Sequence, residues 1–93
     1  MPDGELRSAV ATITNKRGLH ARASAKLVEA AARFRCTITV TKDGQAVNAR
    51  SIMGLMLLAA SMGSNVEISA DGEDAPEALT AILALIDAKF GEE

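Results

Sequence analysis

The sequence is poor in the residues on which several classes of function depend. Among 93 residues it contains one cysteine, two phenylalanines, and no tryptophan or tyrosine. A lone cysteine, Cys36, can form neither an internal disulfide nor a cysteine metal cluster, and we expect it to be a core residue of a strand. So few aromatic rings leave little for stacking nucleic-acid bases. These shortages argue against a disulfide-rich secreted domain and against an RNA-recognition module.

Neither sign of charge is in excess, and no long hydrophobic run is present. The chain has 10 Lys and Arg residues against 12 Asp and Glu residues, for a formal net charge of −2. The longest mostly apolar stretch, residues 52–60, is far shorter than the roughly 20 residues needed to span a bilayer. The first residues lack the charged and apolar segments of a secretory signal. We therefore expect a soluble cytoplasmic protein with no nucleic-acid or membrane partner.

The length suits one compact domain. Pro2, Asp3 and Gly4 favour irregular backbone, so residues 1–5 are predicted to form a flexible N-terminus and residues 6–93 a single domain. We expect this domain to act as a monomer without a metal or other cofactor.

Residue patterns predict the elements of the first half. Weak alternation indicates a strand over residues 6–14, and apolar positions at helical spacing indicate an amphipathic helix over residues 21–34. Apolar and threonine side chains alternate through residues 36–41, which predicts a second strand. Residues 43–44, Asp-Gly, favour a type I′ turn into a partner strand that runs through Val47.

The second half is predicted to contain two helices and a strand. Ser51 is placed to cap a short helix that ends near Met62, and alternation over residues 66–70 indicates a fourth strand. Asp74 and Glu77 have the spacing of a capping box at the start of a long helix. The apolar stripe of this last helix consists of Leu79, Ile82, Leu83, Ile86 and Phe90.

The order β-α-β-β-α-β-α predicts an α+β open-faced sandwich. Its sheet would have four mainly antiparallel strands, with three helices covering one face. Several functions use this order, so the fold alone does not select one. A noncatalytic regulatory or ligand-binding module of the same fold is the alternative to a chemical role, but such a module would leave His20 unexplained.

His20 is the only histidine, and it follows Gly18-Leu19 directly before the first predicted helix. We expect its imidazole to face solvent and to act as a nitrogen nucleophile. The free amides of the first helical turn and the Arg22 guanidinium would hold the oxygens of an incoming phosphoryl group. From the residues alone, an exposed loop histidine or a helix cap remains the alternative.

Two segments carry a resemblance to a known family. ITNKRGLHARASAKL at residues 13–27 closely resembles the active-site segment of the histidine-containing phosphocarrier protein, HPr, of the bacterial phosphotransferase system. SIMGLMLLAASMG at residues 51–63 resembles the second-helix motif of the same family, and the elements after it come in the family's order. The resemblance covers nearly the whole chain.

The resemblance implies a stoichiometric phosphoryl carrier rather than an enzyme. His20 would be phosphorylated on Nδ1 by enzyme I, with phosphoenolpyruvate as the original donor, and would pass the group to an enzyme IIA domain. Arg22 matches the family's active-site arginine. Ala23 stands where most members have proline, and Arg17 where a small polar residue is common. Ala23 restores a backbone N–H, and Arg17 adds positive charge near the phosphate, so transfer rate or phosphohistidine lifetime is expected to differ from typical members.

The resemblance also bears on the branch of the family and on regulation. ITNK at residues 13–16, MLLAAS and the C-terminal segment look more like the nitrogen-related branch, NPr, than the enteric sugar-transport branch. SIMG at residues 51–54 instead resembles the segment that HPr kinase/phosphorylase recognises, which implies phosphorylation of Ser51. An ordinary helix cap is the simpler interpretation of this serine, and a cap is compatible with phosphorylation.

The predicted second helix has two apolar sides. Ile52, Met53 and Met56 are expected to form an exposed docking patch, because flexible methionines suit a carrier that must fit several partners. The matching family positions contact partner proteins. The inward stripe is predicted to consist of Leu55, Leu58, Ala59 and Met62.

Overall fold

The computed structural model describes residues 5–92, and it has the predicted α+β architecture. Its strands are β1 (Glu5–Thr12), β2 (Thr37–Lys42), β3 (Gln45–Asn48) and β4 (Asn65–Gly72), and its helices are α1 (Ala21–Ala31), α2 (Ile52–Leu57) and α3 (Ala75–Asp87), followed by a 3₁₀ turn at Lys89–Gly91. The strands form one sheet in the order β1-β4-β2-β3, and each neighbouring pair is antiparallel. Among residues 5–92, no helix combines the length and the hydropathy needed to cross a bilayer.

The hydrophobic core lies between one face of the sheet and the helices. Ile38 and Val40 of β2 and Ile68 of β4 are buried, whereas the threonines that alternate with them in β2 are exposed or half-buried. Ile82 and Ile86 of α3 are buried against this face. The alternation predicted from the sequence is therefore confirmed, and it explains why the helices cover one side only.

The first strand differs from its predicted bounds. It was expected over residues 6–14, but β1 runs over Glu5–Thr12 and pairs with β4 throughout. Ile13 leaves the ladder because its backbone bonds to a turn instead: its N–H donates to the carbonyl of Ser64 at 2.8 Å, and the N–H of Gly63 donates to its carbonyl at 2.7 Å. Residues 1–4 of the predicted flexible terminus lie outside the described residues.

Helix α1 ends three residues before the predicted Phe34. The Arg50 guanidinium donates hydrogen bonds to the carbonyls of Ala31, at 3.2 Å, and of Phe34. A cation at this position satisfies terminal carbonyls and complements the helix dipole. The chain then turns, so that β2 begins at Thr37 rather than at Cys36.

Helix α2 is also shorter than predicted. Ser51 caps it as expected, since its Oγ accepts a hydrogen bond from the N–H of Gly54 at 3.0 Å. The helix ends at Leu57 instead of near Met62, because Ala59 adopts a left-handed conformation with φ of 53°. Of the predicted inward stripe, Leu55 and Leu58 are buried, but Ala59 is exposed and Met62 is 57% exposed.

The predicted capping box at the start of α3 is wrong. Asp74 occupies the N-cap position but makes no side-chain cap bond. Its carboxylate instead accepts hydrogen bonds from the backbone N–H groups of Arg35, at 2.8 Å, and Cys36, at 2.9 Å. The Arg35 N–H is the main cause of the lowered pKa of Asp74. This carboxylate joins the start of α3 to the connection between α1 and β2.

The bounds of β4 and of α3 also differ from the prediction, although the apolar side chains of β4 and the Phe90 side chain are buried as expected. Strand β4 extends beyond residues 66–70 at both ends, to Asn65–Gly72. Phe90 belongs to the 3₁₀ turn after α3 rather than to the helix, but it is fully buried. Cys36 is buried as predicted, and burial, together with Asp74, raises the pKa of its thiol to about 11. The thiol therefore stays protonated and unreactive near neutral pH.

We expect Asp74→Asn to destabilise the fold near neutral pH, because the substitution removes the charge that two backbone N–H groups bond. Since folding lowers the pKa of Asp74 below 3.8, its stabilising contribution is full above that value and is lost as the pH falls through the lower folded value. Denaturant unfolding at pH 7 and near pH 2.5 (about one unit below the unfolded value) would measure both parts.

The exposed Asp71→Asn variant of β4 removes the same charge and serves as the control. A difference in unfolding free energy between the Asp74 variant and the unaltered protein that does not shrink at low pH would contradict the role of the Asp74 charge.

Candidate functional site

A close backbone approach fixes the loop that carries His20. Gly18 has a left-handed φ of 65°, and a Cβ atom built on it would lie 2.3 Å from the carbonyl oxygen of Ala60. The N–H of Leu19 donates to that same carbonyl at 2.8 Å, and the Leu19 side chain is buried. Only glycine fits at position 18, and the loop therefore lies directly against the chain that leaves α2.

His20 is the N-cap residue of α1, at the predicted junction between loop and helix. Its Nδ1 accepts a long hydrogen bond, 3.4 Å, from the backbone N–H of Arg22. Ser24 helps to hold this start, because its Oγ donates to the carbonyl of Leu19 at 3.1 Å and its N–H donates to the carbonyl of His20 at 2.9 Å. The His20 ring is thus anchored to the helix through the nitrogen named by the family resemblance.

The imidazole is more covered than the sequence indicated, with 22% of the His20 side chain exposed. Its Nε2 lies 2.7 Å from Oε2 of Glu92. The other carboxylate oxygen of Glu92 accepts a hydrogen bond from Nδ2 of Asn15 at 3.1 Å, and Nδ2 also donates to the carbonyl of Gly18 at 2.8 Å. A buried amide thus links the carboxylate to the His20 loop.

Glu92 is ionised at neutral pH. Its partial burial, with 14% of the side chain exposed, acts to raise the pKa. Hydrogen bonds from Asn15 and His20, together with electrostatic attraction from His20 and Arg22, outweigh burial and lower the pKa of Glu92. An ionised carboxylate only accepts hydrogen bonds, so Nε2 of His20 carries a proton. The N–H of Arg22 in turn requires a lone pair on Nδ1, and both partners therefore specify the same tautomer.

Positive charge gathers beside this histidine. One depression of about 330 Å³ is lined by Lys16, Arg17, Arg22 and Glu92. A second, of about 220 Å³, is lined by Arg17, Leu19, His20, Ala59, Ala60 and Ser61. Arg17 borders both depressions, and the exposed Arg22 lies in the first turn of α1. Three cations and one carboxylate suit a phosphoryl group far better than they suit a neutral ligand.

The three residues of the predicted docking patch are exposed on α2. Ile52 is 40%, Met53 69% and Met56 41% exposed, and Leu57, which the sequence did not single out, is 68% exposed. We call these four residues the α2 apolar surface. The chain that leaves α2 at residues 59–61 lines the depression beside His20. Ser51 lies at the opposite end of α2 and is half-buried.

Sequence reasoning missed Glu92 and Asn15. Glu92 is 72 positions from His20, and no local pattern connects residues so far apart. Gly91 was the one available signal, since a glycine after a helix marks a change in chain direction. In the described part of the chain, no group of three or more His, Cys, Asp or Glu residues could hold a metal ion.

Comparisons with known proteins identify the family of the chain. The family model described as the PTS HPr component phosphorylation site matches residues 7–88. The phosphocarrier protein HPr of Cupriavidus necator is 53% identical over 81 residues, which cover 87% of this chain and 91% of that protein. The phosphocarrier protein NPr of Shewanella violacea is 46% identical over 81 residues, covering 87% and 89%.

One solved structure has the same fold as this chain. The crystal structure of HPr-C-His from Thermoanaerobacter tengcongensis superposes with a TM-score of 0.90 at 48% identity, covering 94% of this chain and 98% of that one. Fold and relatives together define a small phosphocarrier domain of the phosphotransferase system rather than an enzyme. The chain belongs to the HPr family.

The close approach at Gly18 leads to a prediction about stability. Gly18→Ala should lower the free energy of unfolding by about 2 kcal/mol or more, because a Cβ costs about 1–2 kcal/mol in the left-handed region before any clash with Ala60 is added. Gly63→Ala is a matched control: Gly63 has φ of 94°, but nothing lies within 4 Å of its built Cβ.

Denaturant unfolding of both variants would measure the difference. Equal losses of unfolding free energy in the two variants would show that the contact with Ala60 does not hold the loop.

Proposed function

We propose that the protein accepts a phosphoryl group on Nδ1 of His20 from enzyme I and passes it to an enzyme IIA domain. The observation that carries the proposal is the division of the two ring nitrogens between partners. Nε2 meets the Glu92 carboxylate, while Nδ1 meets only a backbone N–H at the start of α1. The lone pair that can attack phosphorus is therefore on Nδ1.

The transfer step follows from this tautomer. The Nδ1 lone pair forms a bond to the phosphorus of the donor, and the bond between phosphorus and the donor breaks with its electron pair remaining on the donor. The proton on Nε2 does not move. The backbone N–H of Arg22 and the charges of Arg22, Lys16 and Arg17 favour the phosphoryl oxygens at this end of α1.

The two departures from the usual family pattern support the same chemistry. Ala23 retains an N–H in the first turn of α1, where the backbone N–H groups have no partner within the helix. Arg17 lines both depressions of the site. The N–H of Ala23 adds a hydrogen-bond donor and Arg17 adds a positive charge, and we propose that both lengthen the life of the phosphohistidine.

The proposed partners are those that the reaction requires: enzyme I as donor and an enzyme IIA, of the sugar or the nitrogen type, as acceptor. Relatives named HPr and NPr match the same share of the chain. Both relatives are named phosphocarrier proteins, which supports phosphoryl transfer as the function.

His20→Ala should abolish phosphoryl acceptance while leaving the fold intact, because the substitution removes the nucleophile and little of the core. The measurement is incorporation of label from radioactive phosphoenolpyruvate in the presence of enzyme I, with thermal melts of the same samples. The chain contains no second histidine that could take over. Acid-labile labelling of the variant at the level of the unaltered protein would refute the mechanism and favour a noncatalytic module of the same fold.

Regulation at Ser51 is the second part of the proposal. Phosphorylation of Ser51 by an HPr kinase/phosphorylase would add about two negative charges at pH 7 beside Ile52, the first residue of the α2 apolar surface. A partner that docks on this surface would meet repulsion and an added desolvation cost. The half-buried cap bond from Gly54 to Ser51 supports a local effect on α2 rather than loss of the fold.

The Ser51→Asp variant, an imperfect mimic, and the kinase-treated protein should therefore raise the KM of enzyme I for this acceptor by about tenfold, equivalent to about 1.4 kcal/mol of binding energy. Steady-state transfer assays paired with thermal melts would measure this. Ser8→Asp, on the exposed side of β1, adds the same charge elsewhere and should leave the KM unchanged. If protein carrying phosphate on Ser51 shows an unaltered KM and rate, Ser51 is only a helix cap.

A further inference from the structure

The chain after α3 folds back in a conformation that ordinary residues avoid. Lys89, Phe90 and Gly91 have consecutive φ values of 58°, 54° and 75°, all in the left-handed region. For residues other than glycine this region is unfavourable, because the Cβ atom crowds the backbone. We call residues 89–92 the C-terminal hook. Its strain must be compensated by contacts that the hook makes elsewhere.

Two contacts hold the hook against the rest of the domain. The Phe90 side chain is fully buried in the core, and its carbonyl accepts a hydrogen bond from Nζ of Lys26 on α1 at 2.6 Å. Within the hook, the N–H of Glu92 donates to the carbonyl of Lys89 at 2.8 Å. These contacts bring the Glu92 carboxylate back across the molecule to the start of α1.

Asn15, which bonds to Glu92 of the hook, contains a second unfavourable feature. Its amide is fully buried and gives its N–H₂ group to Gly18 and Glu92, while its Oδ1 has no hydrogen-bond partner among the described residues. A buried acceptor without a partner is unfavourable, because it has lost its hydrogen bonds to water. The strained backbone and the unpaired oxygen thus serve one arrangement, in which the Glu92 carboxylate is held against Nε2 of His20.

We propose that Glu92 is a positioning residue for phosphoryl acceptance, which keeps the proton of His20 on Nε2 and stabilises the charge that the ring gains in the transfer. This role rests on the function proposed above. Attack by the neutral ring through Nδ1 leaves a phosphorylated imidazole that still carries its proton on Nε2 and is therefore formally positive. The carboxylate bonded to that N–H offsets the new charge.

The position of Glu92 suits this role and avoids a conflict. Nε2 and Nδ1 lie on different sides of the imidazole, so a carboxylate bonded to Nε2 does not compete with phosphoryl oxygens for Nδ1. The lowered pKa of Glu92 keeps the carboxylate charged over the neutral range. A carboxylate that orients a histidine and stabilises its protonated form is a general device for making imidazole reactive.

The test compares Glu92→Gln with Glu77→Gln. Glu77 is an exposed residue of the first turn of α3. Helix α3 ends at Asp87, ten residues after Glu77, so Glu77 lies about 15 Å along the helix from the end that leads to the hook. Both variants lose one negative charge. Two readouts are needed: the kcat and KM of enzyme I with this protein as the acceptor, and the ¹⁵N chemical shifts of the His20 ring, which report the proton and hydrogen bond on Nε2.

Glu92→Gln should lower kcat by about tenfold or more with the KM within about twofold, since the lost interaction acts in the transfer rather than in docking. The Nε2 resonance should shift, and Glu77→Gln should match the unaltered protein in both readouts. An unchanged kcat, or a change in KM alone, would overturn the role of Glu92. Absence of phosphorylation in the unaltered protein would instead overturn the proposed function and, with it, this role.

Discussion

The contact between Gly18 and the backbone of residues 60–61 is the constraint on which the site depends. Without a side chain, Gly18 lets the histidine loop approach the carbonyl of Ala60, and Leu19 bonds to that carbonyl. The start of α1 is thereby fixed against the chain that leaves α2. His20, as the N-cap, takes its position from that contact. One steric condition thus joins His20 to the helix that carries the α2 apolar surface.

The charged residues around His20 are the second feature that defines the site. The chain as a whole is slightly acidic, yet Lys16, Arg17 and Arg22 are gathered beside the histidine. Such a local field favours a phosphoryl group without making the whole protein attractive to anions. Glu92 is the exception within the cluster, and it meets Nε2 of the ring. In the proposed reaction this nitrogen keeps its proton, while Nδ1 attacks phosphorus.

Sequence patterns correctly predicted the features that depend on neighbouring residues. The order of elements, the Ser51 cap and the Asp43-Gly44 turn, with φ values of 51° and 81°, all depend on neighbouring residues, and each is confirmed. The ends of helices were predicted less well, because distant groups set them. Arg50 binds the carbonyls at the end of α1, and a long-range bond diverts the Asp74 carboxylate from its cap.

The candidate site shows the same contrast between local and long-range contacts. The sequence predicts His20 and Arg22 as site residues because they lie two positions apart at a helix start, and the structure places them there. Glu92 and Asn15 were not predicted, because the hydrogen bonds of Glu92 to Asn15 and His20 depend on the folded position of the C-terminal hook. The covering of the imidazole by Glu92 is a tertiary effect, and no periodicity in the sequence encodes it.

The central claim is that Nδ1 of His20 receives the phosphoryl group, and NMR of the phosphorylated protein tests it most directly. Protein labelled with ¹⁵N in the histidine ring would be phosphorylated with enzyme I and phosphoenolpyruvate, and the one-bond coupling between phosphorus and nitrogen would be measured. We expect the coupling at Nδ1, with Nε2 still protonated. Coupling at Nε2, the nitrogen that meets Glu92, or phosphate on a residue other than His20 would contradict the claim.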